Sequence, residues 1–299
     1  MEIKQIQHVN LYYIPWLFKK FKLYHLMPWY LGKGQEGVVF RTKNQKAYKQ
    51  YIHLGYHEYL ASKYQKLHLL DGCQIEGYCM PEDIVVDQRC SYGLYQFQKI
   101  SCEIIGYEMA LLTPAFHMND LSLEDRINIL IAIVTRLEDG ARYDIYNLDI
   151  SHRNIMIDHK KVPFFIDVDN FYVQGISPET YPPKTKYCLR HYKPPYFPLK
   201  EVVGPCFLIY VLETLTRHEI TFRTERKDDE IAQEIAFLTK QVIEKFSMPQ
   251  TLMDQWMALF SKNTLKECVT VAEIKQFLLA FQAYLPFIRY HGFQKIRKK

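Results

Sequence analysis

The pattern of apolar and polar residues predicts helices over the later two thirds of the chain. Apolar residues between positions 123 and 137 recur three and four apart, which places them on one face of a helix. Ser122 and Asp125 resemble a capping box, with Asp in place of the usual Glu or Gln. A helix is therefore expected to begin after Ser122, with an apolar face formed by Leu123, Ile127, Leu130, Ile131, Val134 and Leu137.

Three further helices are predicted by the same reasoning. Residues 207–215 form a dense apolar run, which indicates a buried helix. Acidic residues at 228–230 precede a segment with helical spacing of apolar residues, which ends at Phe246. This pattern predicts a helix that begins at these acids, because the helix dipole is positive at the N-terminus. Residues 271–284 predict a last helix, which we expect to end before Pro286 because the residue before a proline avoids helical geometry.

The first third of the chain predicts short strands around one helix. Apolar residues at 56, 60, 64 and 67 have helical spacing and place that helix from Gly55 to about Leu70. A connecting segment follows near residues 108–120, so the predicted fold class is α+β, with a β-rich part before an α-rich part. The predicted strands lie at residues 29–32, 38–40, 47–49, 84–86 and 92–97.

Composition narrows the possible classes of protein. The chain has 299 residues, 48% hydrophobic and 24% charged, which is enough for two domains or one domain of two lobes. Its net charge of +5 is too small to require a specific nucleic-acid partner. No apolar run of about 18 residues is present, so no transmembrane helix is expected. Seven cysteines without a Cys-x-x-Cys pair argue against a disulfide framework and favour a reducing, cytoplasmic setting.

Residues 32–39 have the glycine spacing G-x-G-x-x-G-x-V, with Gly32, Gly34 and Gly37 at its three glycine positions. Glycines let a backbone lie close to phosphate oxygens, which its N–H groups can bind. A dinucleotide-binding fold would need a helix directly after the last glycine, but residues 38–40 predict a strand. The motif therefore predicts a loop between two strands, which is either a phosphate-binding loop or a plain hairpin turn.

Lys49 ends the next predicted strand, twelve residues after Gly37. From that position a lysine can reach the α- and β-phosphates of a nucleotide, although a solvated strand lysine is the commoner outcome for any single Lys. Glu58 follows nine residues later on the predicted helix. It is a candidate partner that would hold Lys49 in place, and the alternative is a surface Glu.

The densest group of chemically useful residues lies in the middle of the chain. Asp149 and Asn154 are five residues apart, and Asp167 follows thirteen residues after Asn154. In phosphoryl transfer one acid can orient or deprotonate the attacking hydroxyl, while an Asn and a second Asp hold Mg²⁺ against the phosphates. Asp169 lies two positions further on and is a third acid for this site. The alternative is that these are turn-forming residues at strand ends.

This ordered set resembles the motifs of the protein-kinase-like superfamily, over nearly the whole chain from Leu31 to about Tyr284. Asn147-Leu148-Asp149 stands where protein kinases have His-Arg-Asp, and Asp167-Val168-Asp169 stands where they have Asp-Phe-Gly. The resemblance implies that Asp149 and Lys49 are catalytic and that Asn154, Asp167 and Asp169 are metal ligands. It also assigns nucleotide binding to Gly32, Gly34, Gly37, Val39, Lys49, Glu58, Glu108 and Ala110, the last two from a segment like the hinge that borders adenine.

The resemblance implies a bilobal protein-kinase-like fold. Residues 1–111 would form a β-rich N-lobe with one main helix, and residues 112–299 an α-helical C-lobe, with ATP and Mg²⁺ between them. The implied activity is transfer of the γ-phosphate of ATP to a hydroxyl, as in a divergent Ser/Thr protein kinase of bacterial type. The implied partners are ATP and a protein substrate.

Departures from the family pattern leave two other readings open. No arginine precedes Asp149, the lysine usual two residues after it is Ser151, and the Ala-Pro-Glu motif is missing. An Asp-x-acid ending at Asp169 resembles small-molecule kinases of the aminoglycoside and choline type, so a small-molecule acceptor is one alternative. The other is a pseudokinase that binds nucleotide and partners without transfer, although every residue needed for metal and base is present.

The C-terminal residues 289–299 include five lysines and arginines. A solvated or frayed terminus is the simpler interpretation of such a basic tail. Contact with an anionic surface is the alternative.

Overall fold

The computed structural model gives an α+β protein that divides into two compact units. Unit 1 includes two short segments that come from much later in the chain than the rest of it. Unit 1 consists of Met1–Thr113, Ile166–Asp169 and Val173–Glu179, and unit 2 of Pro114–Phe165, Asn170–Tyr172 and Thr180–Lys299. The structure describes residues 2–5, 24–34, 36–52, 57–86, 104–191, 199–223, 225–262 and 268–297, and the predicted strand at 92–97 falls outside them.

Unit 1 is built on a six-stranded sheet. The first strand runs parallel to the fifth, and the other described pairs are antiparallel. The predicted strands at 29–32, 38–40, 47–49 and 84–86 all fall within or overlap strands of this sheet. The strands are β1 (Glu2–Gln5), β2 (Tyr30–Lys33), β3 (Gly37–Arg41), β4 (Lys46–Tyr51), β5 (Pro81–Val86) and β6 (Ile104–Ala110). They lie side by side in the order β1-β5-β6-β4-β3-β2.

Lys49 lies on an inner strand of this sheet, paired with Val39 on β3 and with Tyr107 on β6. A side chain at Gly106 would place its Cβ 2.0 Å from the backbone oxygen of Lys49. Only glycine therefore lets β6 approach β4 this closely at that point.

The helix of unit 1 is α1 (His57–Leu69), close to the predicted span. Its residues Leu60 and Leu67 are fully buried and join a core cluster with Tyr51 and Tyr107 of the sheet. A second core cluster contains the buried residues Val38, Phe40 and Tyr48. Apolar residues at helical spacing on α1 therefore pack against strand residues of alternating orientation, as the sequence predicts.

After residue 113 the chain is mainly helical and has four short strands. Ser122 accepts a hydrogen bond from the backbone N–H of Asp125, which confirms the predicted helix start. The fourth helix is buried along nearly its whole length, which confirms the interpretation of residues 207–215. The elements are α2 (Leu123–Arg142), β7 (Ile145–Tyr146), β8 (Ile155–Ile157), β9 (Pro163–Phe165), β10 (Tyr172–Val173), α3 (Pro183–His191), α4 (Val203–Thr216), α5 (Asp228–Phe246), α6 (Gln250–Ser261) and α7 (Val271–Arg297).

The expected end of the last helix before Pro286 is wrong, because α7 continues to Arg297. Proline inside a helix removes one backbone hydrogen bond and crowds the preceding turn. The apolar face of α7 remains buried up to the proline, at Phe277, Phe281 and Leu285. Packing of that face stabilises the helix up to the proline, and Phe287 directly after it is exposed.

Candidate functional site

Lys49 contacts two aspartates that lie more than one hundred residues away in the sequence. Its ammonium Nζ is 2.9 Å from Oδ1 of Asp167 and 2.8 Å from Oδ1 of Asp169. The side chain of Lys49 is 3% exposed. The structure thus brings together, within unit 1, three of the residues that the sequence motifs single out.

Asp169 is held by four donors from the protein. Its Oδ1 accepts from Lys49 and from the hydroxyl of Tyr107 at 2.8 Å, and its Oδ2 accepts from the hydroxyl of Tyr51 at 3.1 Å. The ammonium of Lys63 lies 3.3 Å from Oδ2. Because the side chain is fully buried, both of its oxygens are enclosed by these groups.

Helix α1 supplies two buried lysines to the same place. Nζ of Lys63 lies 2.8 Å from Oε2 of Glu36 and 3.1 Å from Oε2 of Glu179. It also donates to the backbone oxygen of Asp169 at 3.1 Å. Nζ of Lys66 lies 3.2 Å from Oε1 of Glu179. We call the whole set the charged cluster: Lys49, Lys63, Lys66, Glu36, Asp167, Asp169 and Glu179.

The charged cluster places three lysines against four carboxylates. Burial alone would lower the pKa of Lys49, but the carboxylates of Asp167 and Asp169 outweigh it and raise that pKa. Burial would likewise raise the pKa of Asp169, but the two ammonium groups hold it well below its usual range. For Lys66 burial wins, and its pKa is lowered to about 8.

Asp167 is the most exposed carboxylate of the cluster, with 31% of its side chain accessible. Its backbone has φ of 60°, in the left-handed region that few residues other than glycine adopt. Aspartate tolerates this region better than most residues, and such backbone geometry is often found at functional sites. The cluster has one carboxylate more than it has lysines. Asp167 is the carboxylate that solvent or a cation can reach.

The glycine-rich segment forms the turn between β2 and β3. The N–H of Gly34 donates to the backbone oxygen of Gly37 at 2.9 Å. A Cβ on Gly37 would lie 2.9 Å from the backbone oxygen of Gln50 and 3.1 Å from the Cε and Cγ carbons of Lys49. Glycine at this position therefore makes room for the stem of Lys49. At Gly32 an added Cβ would meet no described atom within 4 Å.

The other residues assigned to nucleotide binding lie in the same unit. Val39 is half-buried and packs against the core cluster that contains Tyr107. Glu108 is 2% exposed on β6 and pairs in register with Tyr48 of β4, and Ala110 is exposed at the end of that strand. Glu58 belongs to α1, but its side chain, and with it the predicted pair with Lys49, lies outside the described residues.

In unit 2, Asp149 and Asn154 contact each other directly. The side-chain amide of Asn154 donates to Oδ2 of Asp149 at 2.7 Å and to the backbone oxygen of Asp149 at 3.2 Å. The backbone N–H of Asp149 donates to Oδ1 of Asn147 at 2.8 Å, and Asn147 is fully buried. The loop that carries Asp149 is therefore fixed by two asparagines, one on either side of it.

Two side chains of α3 bind the backbone of this loop. The ammonium of Lys184 donates to the backbone oxygen of Ile150 at 3.3 Å and pairs with Glu213 of α4. The hydroxyl of Thr185 donates to the backbone oxygen of Leu148.

The ring of His152 lies 4.7 Å from the ring of Tyr210, and burial together with the charge of Lys184 lowers the pKa of His152 to about 4. His152 is therefore neutral near pH 7.

No family model matches the chain, and no curated protein matches it.

Within the part of the chain that the structure describes, no group of three or more His, Cys, Asp and Glu residues is arranged to hold a metal ion. No helix of that part is both long and apolar enough to span a membrane.

Several residues of the site were missed by sequence reasoning. Lys63 and Lys66 are three positions apart and share the apolar face that contains Leu60 and Leu67. Lysines on the buried face of a helix signal buried ion pairs, because an unpaired buried ammonium is costly. Glu36 lies within the glycine-rich motif, but the motif assigns it no role. The other missed residues are Tyr51, Tyr107 and Glu179.

Proposed function

We propose that the protein is a phosphotransferase that uses Mg²⁺ and ATP and has the bilobal fold of the protein-kinase-like superfamily. The observation that carries the proposal is the ion pair between Lys49 and Asp167, with 2.9 Å between Nζ and Oδ1. These are the two residues to which the resemblance assigns the phosphates and the metal ion. Their contact depends on tertiary folding, since 118 positions separate them in the sequence.

The residues of unit 1 fit the phosphates of ATP. Gly34 and Gly37 are hydrogen-bonded to each other across the turn and have no side chains to block its backbone. A Cβ added at Gly32 would meet no described atom within 4 Å. Lys49 supplies a fixed positive charge beside that turn, because the stem of this lysine runs past Gly37. Backbone N–H groups and an ammonium are the groups that bind phosphate oxygens in such loops.

The donor set also fits Mg²⁺. This ion prefers oxygen ligands and is usually held by one or two carboxylates together with the phosphates of the substrate, so a cluster of three protein ligands is not required. Asp167 provides the partly exposed carboxylate, and the charged cluster has one carboxylate more than it has lysines. The resemblance assigns the side-chain oxygen of Asn154 to the same ion. When bound, Mg²⁺ neutralises charge that develops on the phosphate oxygens.

We assign Asp169 a different role from the one suggested by its sequence motif. Its two carboxylate oxygens are enclosed by Lys49, Lys63, Tyr51 and Tyr107. A carboxylate surrounded in this way is an internal counter-ion for the lysines rather than a ligand for the metal.

Asp149 is proposed to orient the acceptor hydroxyl and to receive its proton. The acceptor oxygen forms a bond to the γ-phosphorus of ATP, the bond from that phosphorus to the bridging oxygen breaks, and ADP leaves. Asn154 holds one oxygen of Asp149 at 2.7 Å, which fixes the direction of this carboxylate. Such a reaction depends mainly on positioning and on charge stabilisation, which these fixed side chains supply.

We favour a hydroxyl on a protein, such as that of Ser or Thr, as the acceptor. The small-molecule alternative requires Asp169 in part as a second acid for the metal, but Asp169 is paired with Lys49 and Lys63. Screening the purified protein on protein acceptors and on a panel of small alcohols separates the two. Transfer to small alcohols alone would rule out the protein acceptor.

The proposal is tested by Mg²⁺-dependent ATP turnover of the full chain, with labelled ATP to detect transfer. Asp167→Ala and Asp149→Asn should each lower turnover by about 10²-fold or more. Asp254→Asn, on the exposed side of α6, is the matched control and should leave turnover unchanged. Binding of Mg·ATP without turnover on any acceptor would support the pseudokinase instead. Absence of Mg·ATP binding would contradict the nucleotide site altogether.

A further inference from the structure

Lys63 connects two parts of unit 1 that the proposed reaction uses. Through Glu36 it contacts the glycine-rich turn, at 2.8 Å between Nζ and Oε2. Through Asp169 it is linked to Lys49, since one oxygen of Asp169 lies 2.8 Å from Lys49 and the other 3.3 Å from Lys63. One side chain of α1 therefore reaches both the turn and the phosphate-binding lysine.

The link from α1 to Lys49 has the reverse charge order of the pair predicted from the sequence. The sequence predicts a helix carboxylate, Glu58, that pairs directly with Lys49. In the structure the residue of α1 that takes part is Lys63, which carries a positive charge. Asp169 supplies the carboxylate between Lys63 and Lys49. Two like charges cannot hold each other, so the position of Lys49 relative to α1 depends on the carboxylate that both share.

The sheet fixes the other side of Asp169. Tyr51 of β4 and Tyr107 of β6 each donate a hydroxyl hydrogen to its carboxylate. Their rings also lie beside Lys49, whose Nζ is 5.8 Å from the centre of the Tyr51 ring and 5.7 Å from that of Tyr107. Lys49 is therefore surrounded by fixed groups, and the one among them that forms an ion pair with Lys63 of α1 is Asp169.

We infer that Lys63 is a positioning residue that, through Asp169, holds Lys49 in the orientation for nucleotide phosphates and, through Glu36, couples it to the glycine-rich turn. The inference rests on the proposed function for its consequence, which is tight binding of Mg·ATP. The placement of Lys49 itself does not depend on that function and can be measured separately.

A charge-balanced variant separates positioning from folding. Lys63→Met alone leaves the carboxylates of the cluster in excess and can unfold the protein. The double variant Lys63→Met/Glu179→Gln removes one positive and one negative charge, so the balance of the cluster is kept. Lys63→Arg restores the charge, and Gln65→Met, at an exposed position of α1, is the matched control.

The first measurement is the rate at which acetic anhydride acetylates Lys49, followed by mass spectrometry with Lys186 as an exposed reference. We expect at least tenfold faster acetylation of Lys49 in the double variant, and a rate close to that of the wild type in Lys63→Arg and Gln65→Met. The thermal midpoint of each variant is recorded alongside. An unchanged Lys49 rate in a folded double variant would overturn the inference.

The second measurement is the Kd for Mg·ATP by calorimetry. We expect at least tenfold weaker binding in the double variant and recovery to within threefold of the wild type in Lys63→Arg. Equal binding by wild type and double variant would also overturn the inference. If Lys49 becomes reactive in the double variant but the wild type does not bind Mg·ATP, the positioning role stands and the proposed function fails.

Discussion

Asp167 and Asp169 lie two positions apart and both contact Lys49, yet the side chain of Asp169 is fully buried whereas that of Asp167 is 31% exposed. The two acids therefore do different work. Asp169 stabilises the folded unit by balancing buried lysines, and Asp167 presents charge where a ligand can reach it. A comparison of matched variants separates the two contributions.

Asp169→Asn should lower the free energy of unfolding by about 3–5 kcal/mol, because it leaves two buried ammonium groups without a shared counter-ion. Asp167→Asn should lower it by about 1 kcal/mol or less, because solvent already screens this carboxylate. Urea unfolding followed by circular dichroism measures both. Equal losses in the two variants would contradict the distinction.

Gly37→Ala should destabilise the protein by about 1–3 kcal/mol, since the new Cβ meets the oxygen of Gln50 and the stem of Lys49. Binding of Mg·ATP should weaken with it. Gly32→Ala is the control, because its Cβ meets no described atom within 4 Å, and we expect a change within about 0.5 kcal/mol. Thermal unfolding of both variants decides; a larger effect at Gly32 than at Gly37 would count against this account of the turn.

On the proposed function, Asn147→Ala should slow phosphate transfer while leaving the affinity for Mg·ATP close to that of the wild type. It removes the acceptor for the N–H of Asp149, so we expect a loss of about 1–3 kcal/mol in stability and a fall of about tenfold to a hundredfold in kcat. Steady-state kinetics with an identified acceptor provide the measurement. Asn119→Ala, at an exposed position, should change neither quantity. Weakened Mg·ATP binding with normal kcat would refute the assignment.

Lys66 predicts a specific dependence of stability on pH. Its pKa is about 8 in the folded protein and has an ordinary value of 10.5, so between these values the unfolded chain binds the additional proton. The free energy of unfolding of the wild type should therefore rise, relative to Lys66→Met, by up to about 3 kcal/mol from pH 8 to pH 10.5. Below pH 8 the difference should be constant.

Urea unfolding of both proteins across this range tests the prediction. Tyrosine ionisation in the unfolded state is common to both chains and cancels in the comparison. A difference that stays flat through the range would place Lys66 in a more solvated environment than the structure indicates.

Local sequence patterns predicted most of the secondary structure, for physical reasons that are visible at particular residues. The start of α2 follows from the side chain of Ser122, and the buried α4 follows from its apolar composition. The continuation of α7 through Pro286 could not be predicted this way, because the residue before a proline disfavours helical geometry and local preference therefore indicates a stop.

The candidate site was predictable only in part. The spacing of Asp149, Asn154 and Asp167 predicts a phosphoryl-transfer site, and in the structure Asn154 contacts Asp149 while Asp167 contacts Lys49. The partners of Asp169 depend instead on which strands and helices meet in three dimensions. Tyr51 and Tyr107 come from two strands that are paired with each other only in the folded sheet, and nothing in their neighbours distinguishes them from core tyrosines.

The enclosure of Asp169 also limits how this protein can change over evolutionary time. A neutral residue at position 169 would leave Lys49 and Lys63 facing each other without the carboxylate that separates them. A neutral residue at position 63 would leave several acids with too little positive charge. Single steps through such intermediates are unfavourable, so positions 49, 63 and 169 are expected to be inherited as a set and to change only together.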